Sequence, residues 1–406
     1  MIRNGKIFLY AWIIAAAAAV FFLLPAPGPC GQWQRVARMI GHQDAVAVAT
    51  PKGEALYAKN AGKPLVPAST LKLLTADTAL AHLGADFRFA TEFYLTAENN
   101  LVIKGYGDPL LVSEQVAAIA QTLAARINEI HDIVLDDTYF KTPIEIPGTR
   151  ADSTQPYDAP IGALCVNFNT VNFKKVNNTY VSAEPQTPLL PTARRRIRGC
   201  ELESGRILLS SRKNENLIYA GELFAYFLAE QGLKPKGQIR PGRADPQADR
   251  LVYRHRSGFL LTEVIARLME YSSNFIANQV LVRTGAAVYG PPGTLEKGVR
   301  AVNTYARDVL GISPTVVEGS GVSRRNRMTA QMFMPLLADF APHFALLSEK
   351  NGVFCKTGTL DGIQTRAGYI EKKAKPYPFA VLINTPGKSA EPVVKEIASI
   401  VRGLKK

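Results

Sequence analysis

The spacing of apolar positions predicts strands and a buried helix early in the chain. Short apolar runs at residues 45–49 and 55–58 are typical of two paired strands. A nearly continuous apolar stretch then begins at Ser69 and stops before Gly84. Because a helix that is apolar on all sides has to be enclosed, this stretch predicts a buried helix with a glycine stop.

Helical spacing returns in the second half of the chain. Apolar positions recur at this spacing over residues 260–269 and 275–281, and the residues between them, 271–274, form a polar break. Apolar positions at 393–401 predict an amphipathic C-terminal helix.

Three short polar motifs stand beside these elements. They are S-x-x-K at residues 69–72, S-x-N at 272–274 and K-T-G at 356–358. Positions three apart share one helical face, so the Ser69 hydroxyl is expected beside the Lys72 amine. A serine hydroxyl needs such a neighbour to accept its proton before it can act as a nucleophile.

Lysine acts as a base only when it is neutral. Burial and a second cation, Lys356, both disfavour the ammonium form, so we expect a lowered pKa for Lys72. A second S-x-x-K, from Ser210 to Lys213, follows a strand-like run and enters a polar turn. An isolated S-x-x-K is typical of a helix cap followed by a solvated lysine. The ordered set of three motifs favours Ser69 as a nucleophile.

The third motif follows a strand-like run at residues 352–355. A later apolar run at 379–383 is expected to pair with it as a hairpin. Gly358 would let a ligand approach the strand closely, and an exposed edge there would bind a peptide by strand addition.

Further stretches extend the pattern beyond the three motifs. They are residues 67–72, 105–109 (GYGDP), 134–140 (VLDDTYF), 157–160 (YDAP), 319–324 (GSGVSR) and 356–369 (KTGTLDGIQTRAGY). With them, the sequence resembles the class C low-molecular-mass penicillin-binding proteins, serine D-Ala-D-Ala carboxypeptidases and endopeptidases that trim peptidoglycan. The resemblance implies an α/β, penicillin-recognising serine acyltransferase fold of the β-lactamase/transpeptidase type, with a large strand-rich insertion.

The resemblance also implies roles for the motif residues. Ser69 would be the acylated nucleophile and Lys72 its general base. Ser272 would relay a proton toward the leaving amine, Asn274 would hold the acyl side chain, and Lys356 would complete the charge network.

Substrate contacts follow from the same resemblance. The backbone amides of Ser69 and Thr359 would form the oxyanion hole. Thr357 would hydrogen-bond the carboxylate of the terminal D-alanine, beside Gly358 in the substrate-binding strand.

A side-chain pocket is implied for the residue that precedes D-Ala-D-Ala. It would contain Asp152, Tyr157 and Arg324, with Asp152 pairing with a substrate ammonium group and Arg324 with a carboxylate. Asp361 adds a negative charge near the third motif. We expect Asp361 to favour substrates with a free side-chain amine, and the alternative is a surface aspartate without a ligand.

The predicted organisation is a split catalytic domain. Residues 31–88 and 256–406 are expected to form it, and 89–255 to form an inserted region with two small subdomains. Residues 1–30 combine a basic start with a long apolar run and are either a cleaved secretory signal or a membrane anchor. The catalytic part is therefore expected in the periplasm or otherwise outside the cytoplasmic membrane.

Charge and residue spacing limit the classes of partner that the protein is expected to bind. The formal charge of +14 is compatible with binding to anionic membrane or wall polymers, and the alternative is a solvated basic surface. A membrane is expected as a partner only through the N-terminal segment. Residues 194–198 are interpreted as a charged loop, and Cys165 and Cys200 as a pair that is able to form a disulfide. The sequence has no metal-ligand spacing, and we predict no metal, no cofactor and no nucleic acid.

Peptidoglycan stem peptides and β-lactams are the predicted ligands. A β-lactamase and a catalytically silent scaffold remain as alternatives, and the sequence does not choose between carboxypeptidase and endopeptidase preference.

Overall fold

The computed structural model describes residues 31–150 and 152–404. Their contacts form two compact units. The first unit contains the described residues up to His82, Ile265–Ser273, and the chain from Gly298 onward. The second contains Leu83–Val264 and Asn274–Lys297.

The elements are numbered in chain order. The strands are β1 (Asp44–Ala49), β2 (Ala55–Lys59), β3 (Ala90–Leu95), β4 (Leu101–Gly105), β5 (Ile133–Asp136), β6 (Thr170–Val176), β7 (Thr179–Ser182), β8 (Ser204–Leu208), β9 (Ile239–Pro241), β10 (Arg250–Arg256), β11 (Glu349–Lys350), β12 (Val353–Leu360), β13 (Ile363–Lys372) and β14 (Lys375–Ile383). The α-helices are α1 (Gln34–Met39), α2 (Lys72–Leu83), α3 (Ser113–Ala124), α4 (Pro191–Arg198), α5 (Glu215–Glu230), α6 (Leu261–Tyr271), α7 (Asn274–Tyr289), α8 (Leu295–Asp308), α9 (Phe333–Phe340) and α10 (Glu391–Gly403).

The first unit is built around a six-stranded antiparallel sheet. Its strand order is β11-β12-β13-β14-β1-β2. Helices α1 and α10 pack on one face, in a cluster that includes Ile370. The adjacent Tyr369 points to the opposite face, where its hydroxyl donates to the Leu337 carbonyl oxygen of α9 at 2.5 Å. Because helices cover both faces, β1 is buried along its whole length.

The second unit contains two further sheets. Five strands are ordered β10-β3-β4-β5-β9, and three are ordered β7-β6-β8. Apolar side chains of α3 and α5, such as Ile119 and Phe224, pack against Phe93 and Leu135 in the interior of this unit. The domain boundaries predicted from sequence stay a prediction.

The helix and strand predictions near the motifs are largely confirmed. β1 pairs with β2, and α2 follows a 3-10 turn over Ala68–Leu71 and ends before Gly84, whose φ is +91°. Helices α6 and α7 flank the predicted polar break.

Two local predictions are wrong. The expected hairpin between 352–355 and 379–383 does not form, because β13 lies between β12 and β14. Residues 194–198 belong to helix α4 rather than to a loop, since Ala193 and Ile197 are one helical turn apart and both buried.

The disulfide that Cys165 and Cys200 could form is absent. Cys165 and Cys200 are both free thiols. The Cys165 Sγ atom lies 3.4 Å from the Gly162 carbonyl oxygen, and the Cys200 Sγ atom lies 3.0 Å from that of Ile197.

The predicted signal or anchor, residues 1–30, lies outside the described residues. Within the described ranges, every helix is too short or too polar to cross a membrane.

Candidate active site

Ser69 and Lys72 meet at the start of α2. The Lys72 Nζ atom lies 2.9 Å from Ser69 Oγ, within hydrogen-bond distance. Ser69 belongs to the 3-10 turn Ala68–Leu71 and is partly exposed, whereas Lys72 is fully buried. The serine is therefore accessible to a ligand while the amine beside it is shielded from water.

Burial changes the acid–base behaviour of Lys72. Removal from water, together with repulsion by Lys356, lowers its pKa to about 7, and the Glu318 carboxylate opposes this shift. A substantial fraction of Lys72 is therefore neutral near neutral pH. The pair has the arrangement required of a nucleophile and its base.

A buried loop fixes the position of the lysine. Lys72 Nζ donates to the carbonyl oxygen of Ser320 at 2.7 Å. One turn further along α2, the hydroxyl of Thr75 donates to the carbonyl oxygen of Gly319, also at 2.7 Å. Both bonds join helix α2 to the G-S-G stretch.

Glu318 organises that stretch. Its buried carboxylate accepts hydrogen bonds from the Ser320 amide and hydroxyl, both at 2.6 Å, and from the Gly321 amide at 2.7 Å. It also accepts one from Asn326 Nδ2 at 2.6 Å. Sequence reasoning assigned no role to Glu318 or Ser320, and an acid directly before G-S-G was the only available signal.

Two glycines enclose the backbone at Ala68 and Ser69. A Cβ atom on Gly358 would lie 2.9 Å from the Ser69 nitrogen and 2.2 Å from Thr365 Oγ1. A Cβ atom on Gly321 would lie 1.9 Å from the Ala68 carbonyl oxygen, and this glycine has a φ of +83°. The first and third motifs therefore pack together only because no side chain intervenes.

Lys356 and Thr357 point to opposite faces of β12. Lys356 is buried and Thr357 exposed, as the alternation of a strand requires. Burial and the charge of Arg366 lower the pKa of Lys356 to about 8, opposed by the Cys355 thiol. The Lys356 Nζ atom donates to the Thr357 carbonyl oxygen at 2.9 Å.

The outer edge of β12 is open beside the third motif. β11 pairs only with Val353 and Phe354, and within the described chain no strand pairs with Lys356–Leu360 on that side. Thr359 lies in this open stretch and is exposed. The oxyanion hole assigned to the amides of Ser69 and Thr359 stays a prediction.

The second motif lies at the break between α6 and α7. Ser272 follows the last residue of α6 and has a left-handed φ of +53°. It belongs to the same unit as Ser69. Asn274 begins α7 in the second unit, and its Nδ2 atom lies 3.3 Å from the Tyr157 carbonyl oxygen. The structure thus brings together two of the residues predicted to bind substrate.

The remaining pocket residues have protein partners. The Arg324 guanidinium donates to the backbone carbonyl oxygen of Asp361, and both side chains are exposed. The Asp152 carboxylate lies 2.9 Å from Arg212 Nη2 in an exposed ion pair. A substrate ammonium would have to compete with Arg212 for Asp152, although exposed pairs contribute little.

The second S-x-x-K has a different structure. Ser210 lies beyond the end of β8, and its hydroxyl accepts a hydrogen bond from the Arg212 amide at 3.0 Å. Lys213 is exposed and has a φ of +53° inside a short 3-10 turn. Ser210 therefore lacks the buried lysine that Ser69 has.

Known proteins are similar to this chain in sequence and in fold. Residues 34–194 and 182–350 match the D-Ala-D-Ala carboxypeptidase 3 (S13) family. A D-alanyl-D-alanine carboxypeptidase from an Actinomadura species is 27% identical over 84% of this chain and 77% of its own length.

Solved structures agree at the level of the fold. Penicillin binding protein 4 of Haemophilus influenzae has a TM-score of 0.72 at 19% identity, covering 91% of this chain and 98% of that one. A predatory peptidoglycan endopeptidase of Bdellovibrio bacteriovorus has a TM-score of 0.52 at 15% identity, covering 88% and 90%. The predicted α/β penicillin-recognising fold and the resemblance to class C low-molecular-mass penicillin-binding proteins are confirmed. The chain belongs to the D-Ala-D-Ala carboxypeptidase 3 (S13) family.

Proposed function

We propose that this chain is a serine D-Ala-D-Ala carboxypeptidase that also acts as an endopeptidase on peptidoglycan cross-links. The observation that carries the proposal is the 2.9 Å contact between Ser69 Oγ and the buried Lys72 Nζ. Family membership supports the same reaction.

Acylation begins with proton transfer. Neutral Lys72 accepts the hydroxyl proton of Ser69, and the oxygen attacks the carbonyl carbon of the penultimate D-alanine. The amides of Ser69 and Thr359 stabilise the negative charge that develops on the carbonyl oxygen. As the tetrahedral intermediate collapses, the leaving amine takes up a proton, relayed through Ser272, and the terminal D-alanine departs.

Deacylation repeats these steps with water. Water attacks the ester carbonyl, and Lys72 accepts its proton. The Ser69 oxygen leaves with a proton, so the free serine is restored and the shortened peptide is released. A cross-linked substrate follows the same course with a different amine as the leaving group.

The open edge of β12 supports an extended binding mode for the peptide. The substrate backbone would pair with Lys356–Leu360 as an added strand. Thr357 is exposed on this stretch and would bind the terminal carboxylate. Lys356 would contribute positive charge beside it.

The substrate residue that precedes D-Ala-D-Ala would be recognised by a pocket that contains Asp152, Tyr157, Asn274, Arg324 and Asp361. The test compares hydrolysis of a diaminopimelate-containing pentapeptide with that of its side-chain N-acetylated form. Faster hydrolysis of the free amine, lost in Asp152→Asn or Asp361→Asn, supports the pocket. Equal hydrolysis of both peptides by the wild type contradicts it.

We also place the reaction outside the cytoplasmic membrane, with residues 1–30 as signal or anchor. The apolar run at 7–24 supports this location. Cell fractionation with an antibody against the purified protein tests it, because recovery in the cytoplasmic fraction would exclude the proposal.

The deciding experiment follows a covalent adduct with fluorescent penicillin. We expect a durable label on the wild type, none on Ser69→Ala and an unchanged label on the matched variant Ser210→Ala. Rapid loss of the label with turnover of penicillin would instead indicate a β-lactamase. No label at all would indicate a silent scaffold, and labelling of Ser69→Ala would refute the assignment.

A further inference from the structure

A cavity lies within the second unit and shares no residue with the proposed active site. Its volume is about 390 Å³, and four arginines line it, Arg88, Arg254, Arg256 and Arg283. The acid in its lining is Asp86, which is exposed. Four cations facing one acid make this a strongly positive concave surface.

One of the four charges is neutralised within the protein. Arg254 Nε lies 2.6 Å from Glu92 Oε1, and the two side chains form an ion pair. Glu92 also accepts hydrogen bonds from the hydroxyls of Tyr94 and Tyr106. The charge of Arg254 is therefore balanced by Glu92.

Arg88 is held in place without being neutralised. Its Nη1 atom donates to the carbonyl oxygens of Ser257 at 2.8 Å and Gly258 at 2.6 Å. Carbonyl oxygens satisfy the donors but leave the net charge. The guanidinium is thus fixed before any ligand arrives, which reduces the entropy lost on binding.

Arg283 packs against two aromatic rings. Its guanidinium carbon lies 4.9 Å from the ring centre of Phe87 and 5.5 Å from that of Tyr139. The Nε and Nη1 atoms are buried and have no hydrogen-bond partner among the described residues. Buried charged donors without partners are destabilising, and such groups are frequent at binding sites.

No ion pair in the described part of the chain compensates Arg88, Arg256 or Arg283. We propose that this cavity binds a small oxyanion group, a carboxylate or a phosphate, with Arg283 as its central contact and Arg88 and Arg256 at its rim. The aromatic rings hold Arg283 in place and exclude water, which strengthens its attraction for the anion.

The test is calorimetric titration of the purified full chain with inorganic phosphate and, separately, with succinate. Wild type is compared with Arg256→Gln and Arg283→Gln. The matched control is Arg250→Gln, which removes one exposed charge from the same strand, β10, outside the cavity. Thermal unfolding of each variant establishes that it is folded.

We expect one or both probes to bind, with affinity falling at least about tenfold in Arg256→Gln and Arg283→Gln, since hydrogen bonds to charged groups are the strong ones. The control should bind as wild type does. The stronger probe identifies the oxyanion as phosphate or carboxylate. Absence of binding, or equal loss in Arg250→Gln and Arg256→Gln, overturns the proposal. Penicillin labelling of the same samples reports separately on the active site.

Discussion

Lys72 and Ser320 are joined by a hydrogen bond of 2.7 Å between the lysine Nζ and the Ser320 carbonyl oxygen. When Lys72 is neutral, it has two N–H groups and one lone pair. The carbonyl oxygen can only accept, so it holds one N–H group of Lys72 whether the amine is neutral or charged. The loop that carries Ser320 therefore acts on the orientation of the base as well as on its position.

The pH dependence of acylation should be bell-shaped. In the proposed mechanism Lys72 has to be neutral, and its pKa is about 7, so the acylation rate should rise as pH increases through that value. The role proposed for Lys356 requires its charge, and its pKa is about 8, so the rate should fall above that value. The measurement is the second-order rate of fluorescent-penicillin labelling across this pH range.

Lys356→Arg is the control for the alkaline limb. Arginine stays charged throughout the accessible range, so the decline at high pH should disappear while the acid limb remains. A rate that rises only near the ordinary lysine pKa of about 10 would contradict a lowered pKa for Lys72.

Gly358→Ala should displace Ser69, the proposed nucleophile. The added methyl group would lie 2.9 Å from the Ser69 nitrogen, so either β12 or the Ala68–Leu71 turn has to move. A displacement of this kind should reduce the acylation rate by about a hundredfold. Gly62→Ala is the matched control, because its Cβ would meet only Gln331 Oε1, at 3.8 Å. Equal acylation rates for the two variants would show that the close approach is not required.

Glu318→Gln should affect both stability and the pH profile. The substitution replaces an acceptor for several buried donors and should lower the free energy of unfolding by about 1–3 kcal/mol. Glu318 raises the pKa of Lys72, so its loss should move the acid limb of acylation to lower pH.

A merely structural Glu318 would leave that limb unchanged. Glu349→Gln, at an exposed position in the same unit, should alter neither chemical unfolding nor the pH profile.

Asp77→Asn should flatten the dependence of stability on pH. Burial and the adjacent Asp339 carboxylate raise the pKa of Asp77 well above its ordinary value. The folded state therefore binds this proton more tightly than the unfolded state. The resulting stability is complete below the unfolded pKa of about 4 and is lost as pH rises toward the folded value.

Asparagine keeps a hydrogen-bond donor and carries no charge, so the loss of stability with rising pH should become smaller. Urea unfolding at several pH values above about 4 measures how the free energy of unfolding changes with pH. Asp308→Asn removes an exposed acid from the same unit and should retain the wild-type slope. An equal slope in Asp77→Asn would argue against the raised pKa.

Sequence predicted the elements in which periodicity was clear. The helix after Ser69, its stop at Gly84, and the two helices around the second motif have apolar positions that leave one interpretation. Strand β13 was not predicted, because polar Gln364 and Arg366 alternate with its buried residues and interrupt the apolar pattern. Helix α4 was missed because its arginines outnumber its buried positions.

Some residues of the candidate site could be predicted from the sequence, and others could not. Ser69, Lys72 and Lys356 are marked by short motifs, and the structure makes the first two neighbours. Glu318 has no motif of its own. Its importance depends on a contact with Asn326, eight positions away, and on its charge near Lys72, which is distant in the sequence. The enclosure of Ala68 by Gly321 and Gly358 depends on packing between distant segments, which no local pattern encodes.

The strand order of the first sheet has a consequence for the time at which the enzyme becomes competent. β1 lies between β2 and β14, and Val46 in the N-terminal part faces Val381 near the C-terminal end. During synthesis, Ser69 emerges long before the strands that must surround it. Contacts between such distant segments form slowly. An incomplete chain therefore lacks the sheet that holds Ser69, and the acylating activity proposed for Ser69 should arise only once the last strand has been added.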